Sequence, residues 1–464
     1  PRPDPNQPPT PQSPAMQQRT RSGPTPFPLA ETQQGLWLTY KEAPEGSAYN
    51  TVLALQFERP VAAAALGEAL DRLVARHAAL RTRFGEDENG RAIQWFAEAL
   101  DEPAQWTDAR GWREADLEAA LADAARRPFA LERGVFRAQV IEGAPGGTVL
   151  VLALHHIAGD AASFGILGRE LMQLYAAIAD GRDPALPPLA ADYADYVRWE
   201  AEQLDGEPGR RAGAYWGRRL GGEVPILQLP TDHPRPPVQT FDGASQGFRL
   251  PAELTGPIEA CAERHGQNLF ALLLAAWQAL LARLSGQSDI WTAIPTAAAR
   301  RRPAFRGLVG YLVSPMIVRG RYADDAGFGE RLREVGGQVL SSLYHQPYPF
   351  TRVVEQLDYR RDPAYPPLVQ TLFTMGQREP IAEVFESAGH RARRRRVATM
   401  DGQFDLMLFV SNRPDAGALV GKLQYNRTLY RPETIARLAE QLRVLLEGIV
   451  RAPETPTHRL PLLT

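Results

Sequence analysis

His155 and His156 close an unbroken apolar run, Val149 to Leu154, and are followed by Ile157-Ala158-Gly159-Asp160-Ala161. A neutral imidazole at the mouth of a buried strand can take a proton from an attacking nucleophile, and this pattern points to acyl transfer. Side chains alternate across an extended segment, so only one of two adjacent histidines can face a channel, and the other is structural. Asp160 lies four residues beyond His156, too far along a non-helical turn to be taken as its partner. It stands at a strand-to-helix junction and can orient the loop instead. Backbone amides from Gly159 to Ala162 offer an oxyanion site, while Ser163 either lends its hydroxyl or caps the helix. A metal site built from His155, His156 and Asp160 lacks a third ligand of suitable geometry, so none is expected.

Periodicity outlines the elements that must hold these residues. Leu66, Leu70, Leu73, Val74 and His77 follow helical spacing, and an extended segment runs from Ala92 to Phe96. Val135 to Ile141 and Thr148 to Leu154 flank Glu142-Gly143-Ala144-Pro145-Gly146-Gly147, which predicts an antiparallel pair joined by a glycine-rich loop, with the histidine strand central. Ala161 to Ala179 reads as a long helix ended by the glycine, aspartate and proline cluster from Gly181 to Pro188. Further on come a helix through Leu269 to Leu284, strands at Asp289 to Ile294 and Met316 to Val318, and a closing helix whose first position is Pro432. Mixed sheets with helices packed on them are the natural architecture, with a lobe boundary near residue 190.

Composition narrows the classes of partner. The 464 residues are 44% hydrophobic, enough for two or more packed domains, and 52 basic against 54 acidic residues give no reason to expect nucleic acid or an anionic membrane. Lysine occurs only at Lys41 and Lys422. Cys261 stands alone, which excludes an internal disulfide, and its place beside Ile258 on a helix makes it a core residue. Leu269 to Trp277 is the longest apolar stretch, far short of the ~20 residues of a membrane span, and no secretory signal is present, so a cytoplasmic protein is expected. The proline- and glutamine-rich residues 1–26 suit a solvated linker, from which either an upstream carrier or docking domain or a tether at that end is expected. His77 reads as a satisfied core residue. The arginine run from Arg391 to Arg396 reads as a solvated strip, with contact to a phosphopantetheine phosphate or an acidic carrier surface as the alternative.

From about Phe27 to Thr464 the chain resembles a condensation domain of a nonribosomal peptide synthetase. The resemblance is carried by an ordered set. It comprises Leu29-Ala30-Glu31-Thr32-Gln33-Gln34-Gly35-Leu36-Trp37, then Arg76 to Phe84, the paired histidines, and Tyr193-Ala194-Asp195-Tyr196-Val197-Arg198-Trp199. Val309-Gly310-Tyr311-Leu312-Val313-Ser314-Pro315, His345 to Phe350 and Arg361-Asp362-Pro363 complete it. It implies an α/β fold of the α+β sandwich kind, two chloramphenicol-acetyltransferase-like lobes in a V-shaped pseudo-dimer around a central tunnel. Residues 27–190 would form the first lobe and 191–464 the second. It also implies that His156 sits at the centre, that Asp160 pairs with Arg300, and that Gly159, Ala161, Ser314 and Tyr311 line the substrate path. Arg301 and Arg302 are adjacent candidates for the arginine. Three positions depart from the family pattern: Ala161 replaces a glycine, Ser314 an asparagine and Ala299 a glycine. If residue 161 needed positive φ, its alanine would cost on the order of 1 kcal/mol.

The resemblance implies that donor and acceptor arrive on phosphopantetheine arms of carrier proteins, that neighbouring synthetase domains are partners, that no cofactor is bound, and that a monomer suffices. The His458 to Thr464 ending resembles the exit into a following synthetase domain. Amide formation is the expected reaction. Ester formation with a hydroxyl acceptor, a stand-alone transferase using acyl-CoA, and a non-catalytic recruitment domain are the alternatives. Tyr49-Asn50, the Tyr311 region and His345 to Phe350 resemble the subgroup that takes polyketide-type donors.

Overall fold

In the computed structural model the apolar run Val149 to Leu154 becomes the fourth strand of a six-stranded sheet. The structure describes residues 25–323, 325–357, 359–376, 381–397, 402–413 and 417–463. The proline-rich segment therefore lies outside the described residues except for its last two positions. The first sheet runs, in spatial order, β12 (Val384–Ser387), β13 (His390–Arg395), β2 (Asn50–Phe57), β7 (Gly147–His155), β6 (Phe136–Ala144) and β5 (Gln105–Asp108). Every residue of β7 after Gly147 is buried, because helices cover both faces of the sheet and leave no polar side for alternation to mark. Leu150, Leu152 and Leu154 pack with α2 (Ala63–Arg76) and α4 (Ala161–Ala179), while Val149 and Val151 pack with Leu117 and Leu121 of α3 (Glu114–Arg126).

The second six-stranded sheet has the order β10 (Ser314–Arg321), β9 (Asp289–Thr296), β11 (Thr371–Gly376), β14 (Leu406–Arg413), β15 (Ala418–Asn426) and β8 (Gly243–Arg249). Its core is built with α7 (Ala252–Arg264), α8 (Leu269–Ser285), α9 (Phe328–Tyr344) and α11 (Pro432–Arg451). Cys261 is buried in that core. A small third sheet, β1 (Phe27–Pro28), β4 (Ala92–Phe96) and β3 (Thr82–Glu86), flanks the first. The remaining helices are α1 (Glu31–Glu42), α5 (Tyr193–Asp205), α6 (Glu207–Leu220) and α10 (Phe350–Gln356). Two sheet-and-helix lobes result, as in the chloramphenicol-acetyltransferase-like pseudo-dimer.

Two expectations change. Strands β6 and β7 run on into the anticipated six-residue loop, leaving a turn at Pro145-Gly146 and a register shift between Ile141 and Ala144. Gly143, Gly146 and Gly147 all have positive φ, so glycine relieves the strain of the irregularity rather than loosening a loop. Second, a boundary near residue 190 does not partition the sheets. β13 pairs with β2 from Ala392↔Phe57 to Arg395↔Ala54, so a hairpin from the second half of the chain extends the first sheet. Among the described residues no single helix is long and apolar enough to cross a membrane.

Candidate active site

The junction after β7 is shaped by close contacts. His155 is the last residue in register with β2, opposite Asn50, and the amide of His156 donates to Tyr49 O at 2.8 Å. His156, Ile157 and Ala158 then form a 3₁₀ turn, which Gln33 of α1 supports by donating from Nε2 to Ile157 O at 2.8 Å. Gly159 is extended, and a Cβ there would stand 2.3 Å from Leu154 Cδ2, so a larger residue would have to push the Leu154 side chain aside.

The two histidines diverge. His156 is half-buried, and its Nδ1 lies 2.6 Å from Gly159 O. A carbonyl oxygen only accepts, so Nδ1 carries the proton of the neutral ring and Nε2 holds the free lone pair. The ring of Tyr311 meets the imidazole edge to face, with centroids 4.9 Å apart. His155 is buried and accepts from Ile157 N at Nδ1, with Phe129 and Tyr49 against its ring. Burial first, and the neighbouring His156 second, push its pKa down to about 3, so the ring is held neutral among its packing partners.

Asp160 caps α4, accepting from Ser163 N at 2.9 Å, while Ser163 Oγ accepts from Asp160 N at 3.2 Å. The carboxylate is 1% exposed and is gripped by Arg300, with Nη2 at 2.6 Å from Oδ1 and Nε at 3.2 Å from Oδ2. Arg300 is thus the partner among the three adjacent arginines. Its Nη1 also donates to Leu308 O, and Leu312 N donates to Asp160 Oδ2. Ser163 Oγ also accepts from Gly310 N at 3.1 Å and Arg300 Nη2 at 3.2 Å, so the hydroxyl is buried and fully engaged. Both groups belong to a knot that ties α4 to the 308–312 segment of the second lobe, with Asp160 in the ion pair expected of it and Ser163 in the helix cap.

Other sequence candidates scatter. Ala161 is exposed at the start of α4 and is absent from the positive-φ positions, so its methyl carries no backbone strain. Ser314 is buried, and its Oγ accepts from Phe350 N at 3.2 Å. It lines a cleft with Thr32, Glu200, Leu312, Gln346 and Pro349. Asn50 is buried and spends both amide hydrogens on Ala125 O and Arg127 O. His345 stacks on Tyr215 at 4.1 Å. His77 is buried, as expected, and its Nε2 is 2.7 Å from Glu170 Oε2. Arg391 to Arg395 of the arginine run lie on strand β13, where Arg391 and Arg393 meet Glu58, Arg394 meets Glu383 and Arg395 meets Glu114. Arg391, Arg393 and Arg396 are exposed, as expected of a solvated strip. Among the described residues no group of three or more His, Cys, Asp or Glu side chains could hold a metal ion.

Sequence reasoning missed Gln33, Gln94 and Glu200. The first two exchange side-chain hydrogen bonds under the histidine turn, and nothing in a polar residue's local window signals such burial. Glu200 is 5% exposed and accepts from Glu31 N at 2.7 Å and Tyr196 OH at 2.8 Å. Burial outweighs both bonds and pushes its pKa up to about 7.

A family model described as Condensation domain matches residues 25–464. A linear gramicidin synthase polypeptide of Brevibacillus parabrevis is 34% identical over 443 residues, spanning 94% of this chain and 6% of that protein. Phosphinothricin tripeptide synthetase PhsC of Streptomyces viridochromogenes is 34% identical over 444 residues, 95% of this chain and 40% of its own length. The chain thus spans less than half of each of these curated relatives. Among solved structures, the X-domain of teicoplanin biosynthesis in complex with OxyB superposes with a TM-score of 0.87 at 25% identity, covering 96% of this chain and 97% of that one.

Proposed function

The chain belongs to the condensation-domain family of nonribosomal peptide synthetases, and from that premise we propose that it joins a carrier-bound acyl thioester to the amine of a carrier-bound acceptor, with His156 as the group that handles the proton. The observation that carries this reading is the 2.6 Å contact between His156 Nδ1 and Gly159 O. It leaves Nε2 bare on an element anchored in the first lobe, with the ring of Tyr311 from the second lobe packed against the imidazole.

A thioester is already activated, and an amine with a pKa of about 8 is partly neutral at pH 7, so the protein must chiefly position the two reactants. The amine nitrogen attacks the thioester carbon, the C–N bond forms, and the C–S bond breaks with release of the pantetheine thiolate. Nε2 of His156 accepts the proton shed by the nitrogen and returns it to the thiolate, which leaves the ring neutral for the next turn. Amides at the start of α4 are the donors nearest the developing oxyanion. Leu340 and Tyr344, 66% and 80% exposed on one face of α9, support a docking role for a carrier domain. The substrates travel on phosphopantetheine of those carriers, with neighbouring synthetase domains as further partners, one copy of this chain supplying both walls and the cytoplasm as the setting.

The likeness to an X-domain solved with OxyB favours a second reading, a platform that recruits another protein. One experiment separates them. Wild type and His156→Ala are each given a carrier-loaded acyl thioester with mixed amine and alcohol acceptors, and products are followed by mass spectrometry. An amide from the wild type, reduced in the variant, is the expected result. An ester abolished by the substitution would replace the amine with a hydroxyl acceptor, and an absence of product beside tight partner binding would favour recruitment.

A further inference from the structure

We propose that Tyr193 is a positioning residue for His156, acting from the second lobe through the main chain of Tyr311. The proposal rests on His156 being the reacting group. Tyr193 opens α5, is 3% exposed, and donates from its hydroxyl to Tyr311 O at 2.8 Å. That bond needs the phenol ring to lie on Gly310: a Cβ at Gly310 would stand 2.2 Å from Tyr193 Cδ2. The residues on either side of Tyr311 are held by the Asp160 knot, Gly310 through Ser163 and Arg300, and Leu312 through its amide to Asp160. Tyr311 itself is held by Tyr193.

Three successive residues of the second lobe are thereby pinned, and the middle one carries the ring that meets His156 at 4.9 Å. The imidazole is fixed on its Nδ1 side by Gly159 of the first lobe and on its face or edge by Tyr311 of the second. Release of the Tyr311 carbonyl frees the ring to tilt, and a tilt of that wall lets the imidazole leave the geometry that aims Nε2 at the nucleophile. A misplacement near 1 Å costs a reaction of this kind about a hundredfold.

The test compares wild type, Tyr193→Phe, which keeps the ring on Gly310 and loses only the hydroxyl, and Tyr311→Leu, which keeps the carbonyl bond and loses the aromatic wall. Two readouts are taken: ¹⁵N NMR of the His156 ring, assigned by its disappearance in His156→Ala, and kcat and KM with carrier-loaded substrates. We expect both variants to mix the ring tautomers and to lower kcat by about tenfold or more, with KM changed less than about twofold. An unaltered His156 ring signal in Tyr193→Phe would overturn the proposal whatever Tyr311→Leu does, including the case in which Tyr193→Phe merely lowers the melting temperature. Altered ring signals in a protein that turns over no thioester would uphold the positioning role while removing the catalytic reading it rests on.

Discussion

At the scale of single residues the site is decided by which polar atoms are already engaged. His156 keeps one free ring nitrogen because Gly159 O has claimed the other, whereas Ser163 and Asp160 have spent every group they carry on the interlobe knot. A buried carboxylate with a forked guanidinium is strongly destabilised when one partner is removed, since the other charge is left unpaired in the protein. Arg300→Leu is therefore expected to lose about 3–5 kcal/mol of stability in urea unfolding, and a loss near zero would show that water reaches Asp160. Alanine at 161 carries no positive φ, so restoring the family glycine should lower stability by up to about 1 kcal/mol rather than raise it. A stabilised Ala161→Gly protein would reverse that reading. His155 has a folded pKa of about 3, below its unfolded value. Its contribution is present above the unfolded pKa and is lost as pH falls from about 6.5 toward 3.

Among elements, α1, α5 and α10 meet over Glu200, which makes this junction sensitive to pH. The carboxyl faces the Glu31 amide of α1 and the Tyr196 hydroxyl of its own helix, with the Glu31 carboxylate and Arg352 of α10 nearby. Arg352 is paired with Glu31, and among the described residues no cation is bonded to Glu200. Because its folded pKa, about 7, lies above the ordinary carboxyl value, the protonated form is favoured in the native state. Its stabilising contribution is complete below pH ~4 and is lost as pH rises through 7. Glu200→Gln should be indistinguishable from wild type near pH 4 and gain on it steadily up to about pH 7, by at most on the order of 3 kcal/mol. Denaturation midpoints at four pH values measure this, and a difference constant with pH would refute it.

For the whole molecule, the decisive feature is the β12–β13 hairpin that returns from the second half of the chain to the first sheet. It hides the edge of β2, and Phe385 sits against α4 where Gly168 leaves room; a Cβ there would be 2.5 Å from Phe385 Cε1. Residues 27–190 expressed alone would expose that edge and the groove over α4. We expect them to aggregate or to lack a cooperative thermal transition by circular dichroism, while a soluble fragment with native-like unfolding would show that the hairpin is dispensable. Much was legible from the amino-acid order alone. The strand into His155, α4 from Ala161 to Ala179, α8 and α11 followed from periodicity, because burial of one face or both leaves its mark in contiguous residues. The ordered motifs pointed to the family for the same reason, each being a short local segment. Spatial convergence left no such mark. That Arg300 rather than its neighbours reaches Asp160, that Tyr193 holds Tyr311, that Glu200 is sealed beneath α1, and that β13 pairs with β2 depend on contacts between residues more than a hundred positions apart. Such contacts are selected by how two lobes exclude water together, a property of the packed molecule that no window of sequence contains.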